Sequence, residues 1–368
     1  VTETNHKPAE IPAGVASLAD YERLAAQRLD TNAWAYLSGG AGDEITARWN
    51  REAFDRIQLM PRVLRGGPGG HTRLELLGRP FAHPILVAPV AYHRLAHGDG
   101  ERGTAAAAAA QDAGLVLSTL SSETLEAVAA AAGPRRWLQL YVQPERAHTL
   151  DLVRRAEAAG YEALVVTVDA PVNGARDRER RAGFQLPRGV TAANLTNYIA
   201  PPPRAGLRSV VFDHFMAHAP GWADIDWLVA QTRLPVLLKG ILHPDDAELA
   251  IAHGAAGIIV SNHGGRTLDT TAATIDALPG IADRAAGRVP VLMDGGIRRG
   301  TDVLKAIASG ASAVLVGRPV VYGLAVAGAL GVAHVLRLLR DEFEIAMALM
   351  GCTTLADIGR EHVMRVGR

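Results

Sequence analysis

The sequence predicts an α/β fold, a (β/α)8 TIM barrel with an N-terminal helical cap and a lid inserted after the fourth barrel strand. Three observations carry this prediction. Eight apolar runs too short for helices recur along the chain: "PILVAPV" at 84, "LVLSTL" at 115, "WLQLYV" at 137, "EALVVTVD" at 162, "PVLLKGI" at 235, "GIIVSNH" at 257, "VPVLMDGG" at 289 and "SAVLVGRP" at 312. Between them lie Ala-rich or amphipathic segments such as "GTAAAAAAQDAG", "TLDLVRRAEAAG" and "GTDVLKAIASG", many closing on the glycine that stops a helix. Continuous apolar strands alternating with helices require a parallel sheet covered by those helices, and eight such units favour a closed barrel over a doubly wound open sheet. The third observation is the one break in the rhythm, the Pro-rich and weakly periodic stretch from 169 to 235. Long insertions of this kind are characteristically lids, and one that follows strand 4 hangs over the barrel mouth.

Taken in order, the polar start "VTETNHKPAEIPAG" reads as a disordered tail without the apolar core of a secretory signal. Helical patterns follow over 17–28, 31–37 and 44–54, and then "RIQLMPRVL" and "TRLELLGRPF" read as a short hairpin. Residues 1–80 thus form tail, cap and hairpin, and 81–368 the barrel, with the lid at about 177–222. The apolar stretch 320–336 falls short of the roughly 20 residues needed to span a bilayer. Gly323, Gly328, Gly331 and His334 interrupt it, so it reads as a buried helix.

Composition narrows the function. Lys+Arg 38 against Asp+Glu 38 leaves no net field to gather nucleic acid or an anionic membrane, and the 5% of aromatic residues do not interleave with basic clusters. The partners expected are small molecules. Cys352 is the only cysteine, which excludes an internal disulfide and suits a reducing, cytoplasmic compartment. His93 and His97 stand four apart but lack the glutamate of an HExxH zinc motif, so no metal is expected. "GGPGG" at 66 has no following Lys-Ser or Lys-Thr and reads as a turn rather than a phosphate loop.

Catalytic groups of such barrels come from the C-terminal strand ends. Here the runs end in Pro89, Val90 and Ala91; in Ser118; in Gln139 and Tyr141; in Thr167 and Asp169; in Lys239; in Ser261 and His263; in Asp294 and Gly296; and in Gly317 and Arg318. Polar groups at nearly every end, converging on one mouth, form a site. A histidine can serve as general base there, and an arginine three residues on, Arg266 in "SNHGGR", can fork onto a carboxylate.

The segments "AYLSGGAGDE", "APVAYHRLAH", "LQLYV", "TVDAP", "LKGI", "SNHGGR", "DGGIRRGTDVLKAIASGASAVLVGRP" and "MALMGC", in this order, resemble the FMN-dependent 2-hydroxy-acid oxidases and dehydrogenases over almost the whole chain. The resemblance implies FMN as cofactor, a 2-hydroxy acid as substrate, O2 as acceptor and a homotetramer. It makes His263 the catalytic base and Asp169 the carboxylate that orients it. Arg266 and Arg176 become the grip on the substrate carboxylate, and Tyr36 and Tyr141 its hydrogen-bonding partners. Arg178, Arg180 and Arg181, beside Arg176, read as a solvated face.

Lys239 falls at the flavin edge where negative charge develops. Pro89, Val90, Ala91, Ser118, Gln139, Thr167 and Ser261 are expected at the ring and ribityl chain. Asp294, Gly296, Arg298, Gly317 and Arg318 fall after strands 7 and 8, where exposed backbone N–H groups and arginines suit a phosphate. Ala91 matches the residue of the oxidases rather than the glycine of mandelate dehydrogenase. Leu120 stands where glycolate oxidase carries a tryptophan, which opens the pocket toward mandelate or a larger aliphatic acid, with lactate next and glycolate least favoured. Phe212, Phe215 or Met216 of the lid can refill that space.

Overall fold

The computed structural model describes residues 10–198 and 206–367; the first nine residues of the expected disordered tail lie outside it. Eight parallel strands close a barrel in sequence order: β1 (Ile85–Val87), β2 (Gly114–Leu117), β3 (Arg136–Leu140), β4 (Leu164–Thr167), β5 (Val236–Ile241), β6 (Gly257–Val260), β7 (Val291–Asp294) and β8 (Ala313–Val316). Each coincides with one of the apolar runs. β8 pairs back onto β1 through Val314↔Ile85, Leu315↔Leu86 and Val316↔Val87.

Alternation along the strands divides the core. Leu86, Val116, Val165, Leu237, Ile259, Leu292 and Leu315 fill the barrel, while Ile85, Val87, Leu115, Leu164 and Val314 face the helices. The hairpin Leu74–Leu76 with Arg79–Phe81 contributes Leu76 and Phe81 to the interior cluster, with the Phe81 ring edge-on to Trp137 at 5.9 Å. It stoppers the N-terminal end of the barrel. The C-terminal mouth is left for chemistry.

One expectation is corrected here and one is borne out. "TRLELLGRPF" makes a hairpin by itself, whereas Ile57–Leu59 of the preceding segment pairs antiparallel with Val363–Arg365 at the other end of the chain. Ladder partners so distant in sequence leave no local turn signal. The apolar stretch at 320–336 belongs to the helix Arg318–Met350, whose backbone breaks at Ala327 and Gly328. Of its most apolar window 78% is buried inside the protein, so it is a core helix.

The cap helices α1 (Leu18–Arg28), α2 (Thr31–Ser38) and α3 (Ile45–Asp55) lie close to the sequence expectation. The start of α3 is held by a residue far along the chain: the Asp269 carboxylate accepts from the backbone N–H groups of Asp43, Ile45 and Thr46 at 2.8–3.2 Å. This satisfies the free donors of a helix N-terminus and docks the cap on the loop that follows β6.

Candidate active site

The loop after β6 turns on three successive left-handed residues, His263, Gly264 and Gly265, with φ of 56°, 64° and 74°. That conformation is costly for a histidine and calls for outside support. Asn262 supplies it: its amide exchanges two hydrogen bonds with Asn50 of α3, at 2.8 and 2.9 Å, and its backbone carbonyl accepts from the Gly265 N–H at 2.9 Å. The turn thereby aims both His263 and Arg266 into one cavity of about 650 Å3 at the C-terminal mouth.

His263 Nδ1 lies 3.1 Å from Asp169 Oδ1. A proton shared on that side leaves Nε2 as the basic nitrogen. Asp169 fits there because β5 bulges at Gly240, where φ is 114° and a Cβ would come within 2.5 Å of the Asp169 side chain. Burial, then the Lys239 cation, holds His263 below its ordinary value of 6.5, against the opposing pull of Asp169. The base is therefore neutral at pH 7. Burial works against the Asp169 anion, yet the hydrogen bond with His263 and the Lys239 charge outweigh it and keep its pKa below the usual carboxylate value.

Lys239 is buried, with Nζ 3.0 Å from Ser261 Oγ and 3.1 Å from Asp294 Oδ2. Burial disfavours the ammonium, but Asp294 and Asp169 raise its pKa and keep it charged. Ser261, expected at the cofactor, is instead fully buried and accepts from both Lys239 Nζ and the His263 backbone N–H. Its hydroxyl joins the lysine to the histidine turn, a part that the strand-end position alone does not reveal.

In the same cavity, Arg266 gives Nη1 to the carbonyls of Tyr36 and Gly39 at 2.6 and 2.7 Å, and its guanidinium lies 4.9 Å from the centre of the Tyr36 ring. Arg176 reaches the same cavity, with Nε 3.4 Å from the Arg266 carbonyl. Tyr36 and Tyr141 line it too, and burial raises both phenol pKa values, so each hydroxyl is protonated and can donate. Arg180 and Arg181 are solvated, but Arg178 docks on Ser38 and Glu44 and is corrected from the expected solvated face. Glu179, Tyr92, Phe184, Val211 and Phe215 also line the cavity. Of these, Tyr92 sits in "APVAYHRLAH", yet nothing in the sequence distinguishes it from a core residue.

The remaining predicted residues, Pro89, Val90, Ala91, Ser118, Leu120, Gln139, Thr167, Asp294, Gly296, Arg298, Gly317 and Arg318, surround the same space. Several carry polar atoms that call for a partner. Gln139 Oε1 is engaged by Ser118 Oγ and the Thr119 N–H, whereas its buried Nε2 has no partner among the described residues, and neither has Arg318 Nε. A flat heterocycle rich in acceptors meets the first and a phosphate the second, so the residues fit FMN. Burial lowers the Arg318 pKa to about 10, a cost that an anion would offset. One expectation is revised: the backbone N–H groups of Arg298 and Arg299 are taken by Asp302, leaving for the phosphate the glycine turn after β7, the arginine side chains and the turn after β8, where the helix Arg318–Met350 begins.

Fold and site together define a class: flavin-dependent oxidoreductases of small hydroxy acids built on a (β/α)8 barrel. The family model for FMN-dependent dehydrogenases matches residues 25–365, and the chain belongs to that family. It is 53% identical over 350 residues to an L-lactate oxidase of Alicycliphilus denitrificans, covering 95% of this chain and 96% of the relative. Its identity to glycolate oxidase 1 of Zea mays is 45% over 354 residues, covering 95% and 96%. Among solved structures, a mandelate oxidase variant with (S)-mandelic acid superposes with a TM-score of 0.87 at 44% identity, covering 96% of this chain and 99% of that one. The protein is thus an FMN-dependent enzyme that oxidises a 2-hydroxy acid to the corresponding 2-oxo acid.

Proposed function

We propose that this enzyme oxidises (S)-2-hydroxy acids with a short apolar side chain, lactate first, and that O2 is the acceptor, giving pyruvate and hydrogen peroxide. The observation that carries the substrate choice is the lid: Val211 and Phe215, with Phe184 stacked 4.6 Å from Tyr36, line the cavity beside Leu120. On this reading they narrow the room that leucine leaves. This reading puts lactate before mandelate, the reverse of the order expected from the sequence. The relative named L-lactate oxidase, at 53% identity, supports the same choice. Mandelate is the second reading, supported by the likeness to a mandelate oxidase holding (S)-mandelic acid. For O2, the support is Ala91 at the cavity wall.

In the reaction, Arg266 and Arg176 hold the carboxylate while Tyr36 and Tyr141 orient the oxygen atoms. His263 Nε2 takes up a proton from the substrate, and Asp169 stabilises the imidazolium that results. Gln139, Lys239 and Arg318 would hold FMN, which supplies the two-electron acceptor when bound.

The homotetramer is part of the proposal. Its support is a set of exposed apolar residues, Met60, Val63 and Leu64 beside Ile345 and Leu349, joined where the Arg62 N–H donates to the Met350 carbonyl. A cytoplasmic location rests on the single free cysteine.

The test is anaerobic flavin bleaching by (S)-lactate, glycolate and both mandelate enantiomers, followed by admission of air and a peroxide assay. A kcat/KM for mandelate above that for lactate overturns the substrate order, and reduced enzyme that persists in air while a quinone reoxidises it overturns the acceptor.

A further inference from the structure

Glu179 plays no part in the scheme above. It lies in the short helix Asp177–Arg181 at the start of the lid, one turn after Arg176, and its side chain is 14% exposed. Its Oε1 stands 3.0 Å from Arg266 Nη2 and 3.5 Å from Arg176 Nη1, bridging the two cations that face the substrate carboxylate. A guanidinium has five N–H donors. Arg266 gives those of Nη1 to the Tyr36 and Gly39 carbonyls and one of Nη2 to Glu179. Its Nε–H and one Nη2–H remain, donors that a carboxylate can take up.

We propose that Glu179 is a positioning residue for substrate recognition: it holds two mutually repelling guanidiniums together and turns the free donor pair of Arg266 toward the cavity. Two neighbouring cations without a shared anion separate or rotate toward solvent, and a rotated planar fork no longer matches a carboxylate. The bridge is also local to the lid. Gly174, just ahead of Arg176, passes so near the catalytic turn that a Cβ there would lie 2.1 Å from the Thr267 carbonyl oxygen. The first turn of the lid and the loop after β6 are therefore packed backbone to backbone, with Glu179 as the charged link between them.

This inference rests on the reading that the arginine pair grips a 2-hydroxy acid, so the experiment separates the two. Holoenzyme carrying Glu179→Gln or Glu179→Asp is compared with wild type in two measurements. The first is KM and kcat with (S)-lactate; the second is the Kd of pyruvate, which keeps the carboxylate but cannot reduce the flavin, read from the perturbed flavin absorbance. Losing the charge of a buried, charge-assisted contact should raise KM and the pyruvate Kd together by about tenfold in Glu179→Gln. The saturated rate of flavin reduction should stay close to wild type, and Glu179→Asp should recover most of the affinity.

Tighter pyruvate binding in Glu179→Gln would overturn the proposal, because Glu179 would then be a competitor for the arginines. A fall in kcat with unchanged Kd would overturn it as well. If Glu179→Gln does not retain FMN, Glu179→Asp decides: a pyruvate Kd raised by less than about tenfold with an unchanged saturated rate supports the proposal, and a Kd at or below that of wild type overturns it. Wild type that binds pyruvate without being reduced by lactate overturns only the substrate assignment.

Discussion

The two walls of the active site are built differently. On the strand-end wall Asp169, Lys239, Ser261, His263 and Asp294 are tied by contacts of 3.0–3.1 Å and sit on or beside barrel strands. On the lid wall Val211 and Phe215 come from a single π-helical turn and are 43% and 46% exposed. Rigid placement suits proton transfer, which fails when a base shifts by a fraction of an ångström. A half-exposed apolar wall can be repacked at little cost to the rest of the molecule. Under the proposed function, reaction type is fixed where the network is dense and substrate choice where it is sparse.

The largest effect expected is from His263→Ala, which should keep FMN and lower the rate of flavin reduction by about 10²- to 10⁴-fold in anaerobic stopped flow. An undiminished rate would move the base elsewhere and break the comparison at its strong side. Next comes Arg266→Lys, where an ammonium replaces a planar fork; kcat/KM should fall by about 10- to 100-fold, the size of one or two charge-assisted hydrogen bonds. Arg318→Ala should weaken FMN retention by about tenfold or more for the same reason, checked by fluorescence of flavin released on dilution.

Because burial lowers the His263 pKa and only the neutral ring is a base, the acid limb of kcat/KM should have its midpoint below 6.5. Asp169→Asn removes the group that raises that pKa, so the limb should move further down while the rate drops. A midpoint at or above 6.5 would contradict the burial argument.

Phe215→Ala tests the lid wall: the ratio of kcat/KM for mandelate to that for lactate should rise by about tenfold, the worth of a side-chain-sized change in an apolar pocket. The smallest effect sharpens the contrast. Phe212, 74% exposed and outside the cavity, should tolerate serine with the ratio unchanged.

The sequence by itself determined the barrel, because each strand buried on both faces has to be a continuous apolar run, and such runs can be read without knowing their neighbours. It also determined which residues stand at the strand ends, since chain direction alone assigns them to one mouth; His263, Asp169, Lys239 and Arg318 were legible for that reason and through the family resemblance. Tertiary structure alone decided how they are wired. Ser261 joins Lys239 on the neighbouring strand to the His263 turn, and Asn50 of α3 supports the left-handed histidine through Asn262. The pairing of Ile57–Leu59 with Val363–Arg365 and the bridge from Glu179 to Arg266 belong with these. Each joins residues far apart in the chain through hydrogen bonds or ion pairs, and such contacts leave no periodicity, because a polar side chain that finds its partner across the fold is written in the sequence like one that faces water.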